Sequence, residues 1–296
     1  MSILKRASFG ILGLALIHPG SAFAQATEPV VHASVIDDRG APVTSLTATD
    51  FVVSEDGAAR EVLRVDRASD PMQIAVLVDT SAAVEPYVND LRRALKSFFH
   101  GLAGNNELAL IEFGDRPAVL VDYTSDRARL AEGADRVFAR PNSGARLLDA
   151  IIETSKGLRT REGARSAIVV ITAEGPEFSD RYHEAVLEEL RRTDTSLYAF
   201  VLARTRRPLR DRNAQERDIT LADGTQLTGG RREILLTSMA LDRALHTLST
   251  QLENQYVVAY SRPGSLVTPH ALDIRVTRPG LTVLAPRTPR QTGRRR

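Results

Sequence analysis

Gln73-Ile74-Ala75-Val76-Leu77-Val78-Asp79-Thr80-Ser81 is the stretch that decides the fold, because an unbroken apolar run ends there on an aspartate and two hydroxyls. A run of this length is typical of a strand buried on both faces, in the middle of a parallel sheet. In such sheets, ligands bind beyond the carboxyl ends of the strands. We therefore expect Asp79, Thr80 and Ser81 to lie at a binding edge of the sheet.

Strand and helix patterns alternate after this stretch. Apolar steps of three and four mark helices over 84–102, 147–158 and 241–252, and apolar runs mark strands over 107–113, 167–171 and 196–202. The alternation predicts an α/β fold with a doubly wound, mostly parallel sheet and helices on both faces. A short, hairpin-like link at residues 114–117 predicts one antiparallel edge strand.

Two β-rich segments, residues 26–70 and 253–286, flank this α/β domain, which we place at 71–252. Each offers only a few short strands, too few for a sandwich of its own. We therefore expect the two flanks to pair into one small β-sandwich-like domain. Within the α/β domain, residues 203–232 read as a polar, arginine-rich excursion, in which Asp223-Gly224 favours a hairpin turn.

The N-terminus has the pattern of a secretory signal. Lys5 and Arg6 precede an apolar segment at 9–17, and Ala22-Phe23-Ala24 follows as a cleavage site. We predict a signal peptide at 1–24 and a secreted or periplasmic protein; the alternative is a short membrane anchor. No later apolar run is long enough to span a membrane. Residues 287–296 read as a disordered basic tail.

Charge and composition exclude several classes of function. The chain has 39 basic and 37 acidic residues, and removing Lys5 and Arg6 leaves 37 of each, so the mature protein is neutral. Its arginine clusters contain no interleaved aromatic residues, which argues against a nucleic-acid partner. The absence of cysteine excludes disulfides, zinc–thiolate sites and a cysteine nucleophile.

The segment Asp79-Thr80-Ser81-Ala82-Ala83, with the order of strands and helices around it, resembles the von Willebrand factor type A (VWA) domain. The flanks are similar to those of a bacterial VWFA-related family. The residues that carry this second resemblance are 35–43, 50–51 and 55–57 before the domain, and 229–230, 255–260 and 274–276 after it. Together the resemblance covers roughly residues 30–285.

The resemblance implies a metal-ion-dependent adhesion site built from a D-x-S-x-S motif, a threonine and a second aspartate. Asp79 and Ser81 match this ligand set, but the other three positions hold Ala83, Ala145 and Ala173. Mg²⁺ requires about six oxygen ligands, which alanine side chains do not supply. We expect a degenerate site with no metal cofactor. Mg²⁺ binding stays open only if a one-residue shift brings Glu174 to the site.

Catalytic motifs are incomplete. His183-Glu184 begins like the zinc motif H-E-x-x-H, but Leu187 stands where its second histidine belongs. No nucleophile–base pair can be assembled from the motifs present, so we expect that the protein is not an enzyme.

The resulting hypothesis is an exported, non-enzymatic, adhesion-type module that binds a protein partner through the loops above Asp79. The expected partner-binding residues are Asp79, Thr80, Ser81, Asn142, Ser143, Glu174 and Glu177. The alternative is a structural subunit or scaffold of an envelope complex that uses a metal-independent surface, such as the excursion at 203–232. Metal dependence of partner binding separates the two.

Overall fold

The computed structural model describes residues 28–161, 163, 165–203, 212–264 and 269–288. The predicted signal peptide and most of the predicted basic tail lie outside the described residues. The strands are β1 (Val30–Ile36), β2 (Phe51–Glu55), β3 (Ala58–Arg60), β4 (Val62–Arg67), β5 (Met72–Asp79), β6 (Glu107–Phe113), β7 (Pro117–Thr124), β8 (Arg165–Ala173), β9 (Thr195–Leu202), β10 (Arg232–Leu235), β11 (Tyr256–Tyr260), β12 (Leu272–Val276) and β13 (Thr282–Leu284). The helices are α1 (Val88–Gly101), α2 (Arg127–Asp135), α3 (Leu147–Thr160), α4 (His183–Arg191), α5 (Arg212–Thr228) and α6 (Ala240–Glu253).

A six-stranded sheet in the order β10-β9-β8-β5-β6-β7 forms the centre of the molecule. Strand β5 carries the deciding apolar run and lies between β8 and β6, and its residues from Ile74 to Val78 are fully buried. Every neighbouring pair in the sheet is parallel except β6 and β7, which are antiparallel. The predicted parallel sheet and its antiparallel edge strand are both confirmed.

Helices cover both faces of this sheet. Helices α1, α2 and α6 bury leucine and phenylalanine side chains against one face, among them Leu95, Phe98 and Leu245. Helices α3, α4 and α5 cover the other face with Ile151, Leu190 and Leu221. Burying an apolar side chain of this size stabilises the fold by roughly 1.5–3 kcal/mol, so these two layers hold the domain together.

The flanking segments form a β-sandwich. One sheet has the order β13-β1-β11-β4 and the other β12-β2-β3, so both combine strands from before and after the α/β domain. Val31, Val53, Tyr256 and Ile274 lie in the core between the sheets. The fold class predicted from the sequence is therefore confirmed, including the sandwich built from both flanks.

Arg165, at the start of β8, ties the sandwich to the α/β domain. Its side chain is buried, and its guanidinium donates to the carbonyl oxygens of Asp70 (2.8 Å) and Leu252 (2.6 Å) and to the amide oxygen of Gln255 (2.8 Å). Asp70 ends the N-terminal flank, and Gln255 lies in the C-terminal one, directly before β11. One buried cation thus fixes both junctions between the domains.

The hairpin expected at Asp223-Gly224 is wrong, because both residues lie inside helix α5. Gly224 faces the sheet there. A Cβ atom added to it would lie 3.0 Å from a methyl group of Leu197 and 3.1 Å from one of Leu190. The glycine permits close helix–sheet packing, and this tertiary contact overrides the local turn preference of the dipeptide. Within the predicted excursion at 203–232, the described residues from 212 onward thus form helix α5 and the first residue of β10, and residues 229–231 connect the two.

No helix in the described part of the chain is long and apolar enough to cross a bilayer.

Candidate functional site

The candidate site begins with Asp79 at the carboxyl end of β5, where the side chain is completely buried. One carboxylate oxygen accepts a hydrogen bond from the backbone N–H of Ser81 (2.8 Å). The other accepts from the Thr172 hydroxyl (2.7 Å) and the Ala173 backbone N–H (3.3 Å), both at the end of β8. Protein donors therefore satisfy both oxygens, and Asp79 joins the ends of two neighbouring strands.

Burial raises the pKa of Asp79 above its ordinary value of 3.8, because removal from water disfavours the charged form. The hydrogen bonds from Ser81, Thr172 and Ala173 oppose this rise. The raised pKa follows from a buried carboxyl group whose neighbours are dipoles rather than cations.

A second loop, between α2 and α3, closes over the end of β5. The Arg140 N–H donates to the Thr80 carbonyl oxygen (2.8 Å), and the Ala82 N–H donates to the Ser143 carbonyl oxygen (3.2 Å). The Ser143 hydroxyl donates to the Arg140 carbonyl oxygen (2.9 Å), and the Arg140 guanidinium pairs with the buried Glu112. These bonds hold the loop directly above Thr80.

Glu177 joins this loop to a third one, which follows β8. One of its carboxylate oxygens accepts from the N–H groups of Leu147 (3.2 Å) and Ser179 (3.1 Å) and from the Ser179 hydroxyl (2.5 Å). The other oxygen is buried and has no hydrogen-bond partner in the part of the chain that the structure describes. Burial raises the pKa of Glu177 to about 7, although the Ser179 hydrogen bonds and the positive charge of Arg217 oppose the rise.

These residues do not fit a metal ion. Asp79 already accepts three hydrogen bonds, and the Ser81 hydroxyl accepts a long one from the Ala83 N–H (3.4 Å). The alanines at the other three ligand positions are buried and offer no oxygen. An ion placed here would have to displace protein donors from Asp79 and take most of its ligands from water.

Few of the residues expected to contact a partner reach the surface. Asp79, Thr80, Ser81, Ser143 and Glu177 are buried, whereas Asn142 is exposed and Glu174 is half-buried. Of the seven residues, only Asn142 and Glu174 are therefore accessible to a partner in this conformation. Which residues bind a partner stays a prediction.

Three exposed aromatic residues lie on the loops that follow α2 and β8, and the sequence analysis did not identify them as site residues. Phe138 lies on the loop between α2 and α3, and Phe178 and Tyr182 lie on the loop after β8, each about half exposed. The Arg140 guanidinium stacks over Phe138 (5.1 Å to the ring centroid), and that of Arg212 stacks over Tyr182 (5.2 Å). We call Phe138, Phe178 and Tyr182 the aromatic rim. Single aromatic residues in loops give no periodic signal, so only the structure shows that these three are exposed on loops that follow α2 and β8.

His183, the start of the incomplete zinc motif, pairs with Glu216 of α5. Its backbone N–H and its ring Nδ1 atom lie 2.9 Å and 2.6 Å from one Glu216 oxygen, and the exposed Glu184 carboxylate lies 3.4 Å from Nδ1. These hydrogen bonds lower the pKa of Glu216. The cluster lies at the first turns of α4 and α5, where the helix dipoles disfavour a cation.

Residues 74–175 match the family model described as the von Willebrand factor type A domain. This segment is a VWA domain. The match begins on β5 and ends just after β8, so it contains Asp79, the loop between α2 and α3, and the position of Ala173. No curated protein matches the chain.

Several solved structures are similar to this chain. A von Willebrand factor type A protein from Catenulispora acidiphila aligns with 93% of this chain and 75% of its own, at 10% identity and a TM-score of 0.50. The conserved hypothetical protein BatB from Bacteroides thetaiotaomicron aligns with 62% of this chain and 100% of its own, at 16% identity and a TM-score of 0.49. An aerotolerance-related membrane protein from Bacteroides fragilis aligns with 60% and 98%, at 16% identity and a TM-score of 0.45.

Proposed function

We propose that this protein is an exported, non-enzymatic module whose VWA domain binds a protein partner without a metal ion. The aromatic rim carries the proposal. Phe138, Phe178 and Tyr182 expose apolar surface on the loops around Asp79, which is where a parallel sheet presents its binding edge. Aromatic side chains dominate protein interfaces because they bury a large apolar area at a low cost in conformational entropy.

The buried centre of the site supports the same proposal. Asp79 joins the carboxyl ends of β5 and β8, Glu177 accepts from Leu147 and Ser179, and Phe178 packs directly over Gly144. A Cβ atom at Gly144 would lie 2.1 Å from the Phe178 ring, so the glycine makes room for the ring. The remnant of the adhesion site thus acts as a rigid base for an apolar contact surface.

A capture experiment with a matched control tests the proposal. The mature chain is immobilised, exposed to the exported protein fraction with Mg²⁺ or with EDTA, and compared with the Phe138→Ala/Phe178→Ala variant. We expect a partner that is retained equally in EDTA and is lost from the variant, since one interface aromatic contributes on the order of 2 kcal/mol. The control is Val119→Ala, an exposed apolar residue on edge strand β7, which should retain the partner.

Retention by the rim variant would contradict binding through the rim and would favour the scaffold alternative. Loss of the partner in EDTA would contradict the metal-independent mode.

A further inference from the structure

The two edges of the central sheet differ in how they are protected. Edge strand β7 begins with Pro117, has two register irregularities against β6, and exposes Asp122. Proline, bulges and charges are the devices by which natural sheets prevent another strand from pairing with their edges. The opposite edge strand, β10, contains no proline and pairs with β9 in unbroken register from Arg232 to Leu235.

The outer side of β10 has unpaired backbone groups. The carbonyl oxygens of Arg231 and Leu235 accept from the N–H groups of Ala199 and Ala203 on the β9 side, both at 2.9 Å. Because successive residues of a strand alternate in direction, Arg232, Ile234 and Leu236 point their N–H and C=O groups away from β9. Within the described residues, no backbone hydrogen bond occupies that side.

The same edge exposes large apolar side chains. Ile234 is 52% exposed, Leu236 is 83% exposed, and Met239, at the start of α6, is 76% exposed. The charges beside them are already neutralised within the chain, since Arg231 pairs with Glu233 and Arg232 with Asp218, both at 3.0 Å. A second strand could therefore approach this edge without meeting an unpaired charge on β10.

We propose that two copies of this chain pair through β10, antiparallel across a two-fold axis, so that their central sheets become one continuous sheet. Backbone pairing along the outer side allows several registers. Each register is defined by the residue through which the two-fold axis passes. An axis at Arg232 or at Glu233 places that residue opposite its own copy, so that two like charges face each other, which is destabilising. Centring on Leu235 moves the pairing past the end of β10.

Centring on Ile234 avoids opposed like charges and extends the pairing only one residue past β10, to Leu236. It sets Ile234 against Ile234 of the second copy and Arg232 against Leu236, and all three residues share one sheet face. The exposed apolar side chains then cover one another, and the outward backbone groups of both strands are paired. A strand that is complementary to itself in this way favours a second copy as occupant over an unrelated strand.

Sedimentation velocity over a concentration series tests the dimer with the mature full chain. We expect a monomer–dimer equilibrium and, for Ile234→Lys, a dissociation constant raised at least roughly tenfold, because an edge lysine blocks strand pairing. Val119→Lys, 61% exposed on edge strand β7, should dimerise like the unmodified chain. Melting temperatures establish that both variants are folded.

Single cysteines test the register, because the chain contains none of its own. In an antiparallel hydrogen-bonded pair the Cα atoms lie about 5.5 Å apart, within the range of a disulfide. Ile234→Cys should form a covalent dimer under mild oxidation, and Val119→Cys should not. Preferential cross-linking of Glu233→Cys would overturn the register. The proposal would be overturned if the chain stayed monomeric at every concentration and Ile234→Cys did not cross-link. That result would hold even if a strand of another protein pairs with β10.

Discussion

At the residue scale, one carboxylate oxygen of Glu177 holds the loop after β8 against the start of α3. That oxygen accepts from the Leu147 N–H at the start of α3 and from Ser179 on the loop after β8, while the second oxygen is buried with no hydrogen-bond partner among the described residues. Arg217 faces the same loop and donates to the carbonyl oxygens of Ala173 (3.3 Å) and Gly175 (3.0 Å). A charge on Glu177 is therefore poorly solvated, and the loops are most stable when it is protonated.

The stability of the protein should therefore fall with rising pH across the titration of Glu177. Its folded pKa of about 7 lies above the ordinary value of 4.5, so its contribution is complete below pH 4.5 and is lost as the pH rises through 7. The shift corresponds to about 3 kcal/mol of unfolding free energy. In Glu177→Gln, which keeps the accepting oxygen but cannot ionise, the fall between pH 4.5 and 7.5 should be smaller by about that amount, measured by urea unfolding.

The exposed Glu85→Gln variant is the control and should keep the slope of the unmodified protein. An identical slope in Glu177→Gln would show that Glu177 does not ionise in this range. The raised pKa of Asp79 acts in the same direction in all three proteins, so it cancels in the comparison.

At the scale of the element, the turn from α5 into β10 is restricted by two glycines. Gly229 has a φ of +74°, which side chains other than glycine rarely adopt. Gly230 lies against β9 so closely that a Cβ atom would come within 1.8 Å of the Leu197 carbonyl oxygen. This contact is with backbone, so a side-chain rotation cannot relieve it.

Gly230→Ala should therefore destabilise the protein by roughly 3 kcal/mol or more, because either β9 or the turn has to move. Thermal or urea unfolding measures the loss. Gly104→Ala is the matched control, since its added Cβ would meet no atom within 4 Å, and it should change stability by less than about 1 kcal/mol. Equal stabilities would show that the close approach of Gly230 to β9 is not present in solution.

Helix α5 also shows why one element could not be predicted from the sequence. Apolar periodicity identified β5, α1, α3 and α6, because these elements bury leucine, isoleucine, valine and phenylalanine. The buried face of α5 contains only two apolar side chains, Ala214 and Leu221; its other buried residues are Arg217, Thr220, Gly224, Thr225 and Thr228, so no apolar pattern results. The hydroxyls of Thr225 and Thr228 donate to carbonyl oxygens one helical turn earlier, those of Leu221 and Gly224, both at 2.8 Å.

The sequence predicted the position of the site but not its surface. The end of β5 and the three alanines were readable because they occupy fixed places in the VWA motif. Burial of Glu177 and exposure of Phe178 depend on how two loops pack against each other, and neighbouring residues in one loop can face opposite ways. No periodicity in the sequence encodes that choice.

At the scale of the whole molecule, the sandwich joins the two ends of the described chain. Strand β1 pairs antiparallel with β11, with His32 opposite Val257, and both side chains are half-buried. His32→Cys/Val257→Cys should form a disulfide in this cysteine-free chain, because opposed residues of antiparallel strands lie within bridging distance. Closing so long a loop should raise the unfolding free energy by up to about 5 kcal/mol over the reduced form.

The register control is His32→Cys/Val258→Cys, which shifts one cysteine to the buried face of the sheet. Efficient bridging there, or none in the first pair, would contradict the pairing of the two flanks.

The melting temperature of the mature protein in EDTA and in millimolar Mg²⁺ or Mn²⁺ tests most directly whether the VWA domain works without a metal ion. A ligand stabilises the folded state in proportion to the logarithm of its concentration over its dissociation constant. We expect the two temperatures to agree within about 1 °C, because Asp79 is satisfied by protein donors and Ala83, Ala145 and Ala173 provide no oxygen ligands. The Ala83→Ser/Ala145→Thr/Ala173→Asp variant should acquire a metal-dependent rise. A rise of several degrees with Mg²⁺ in the unmodified protein would contradict the metal-independent account.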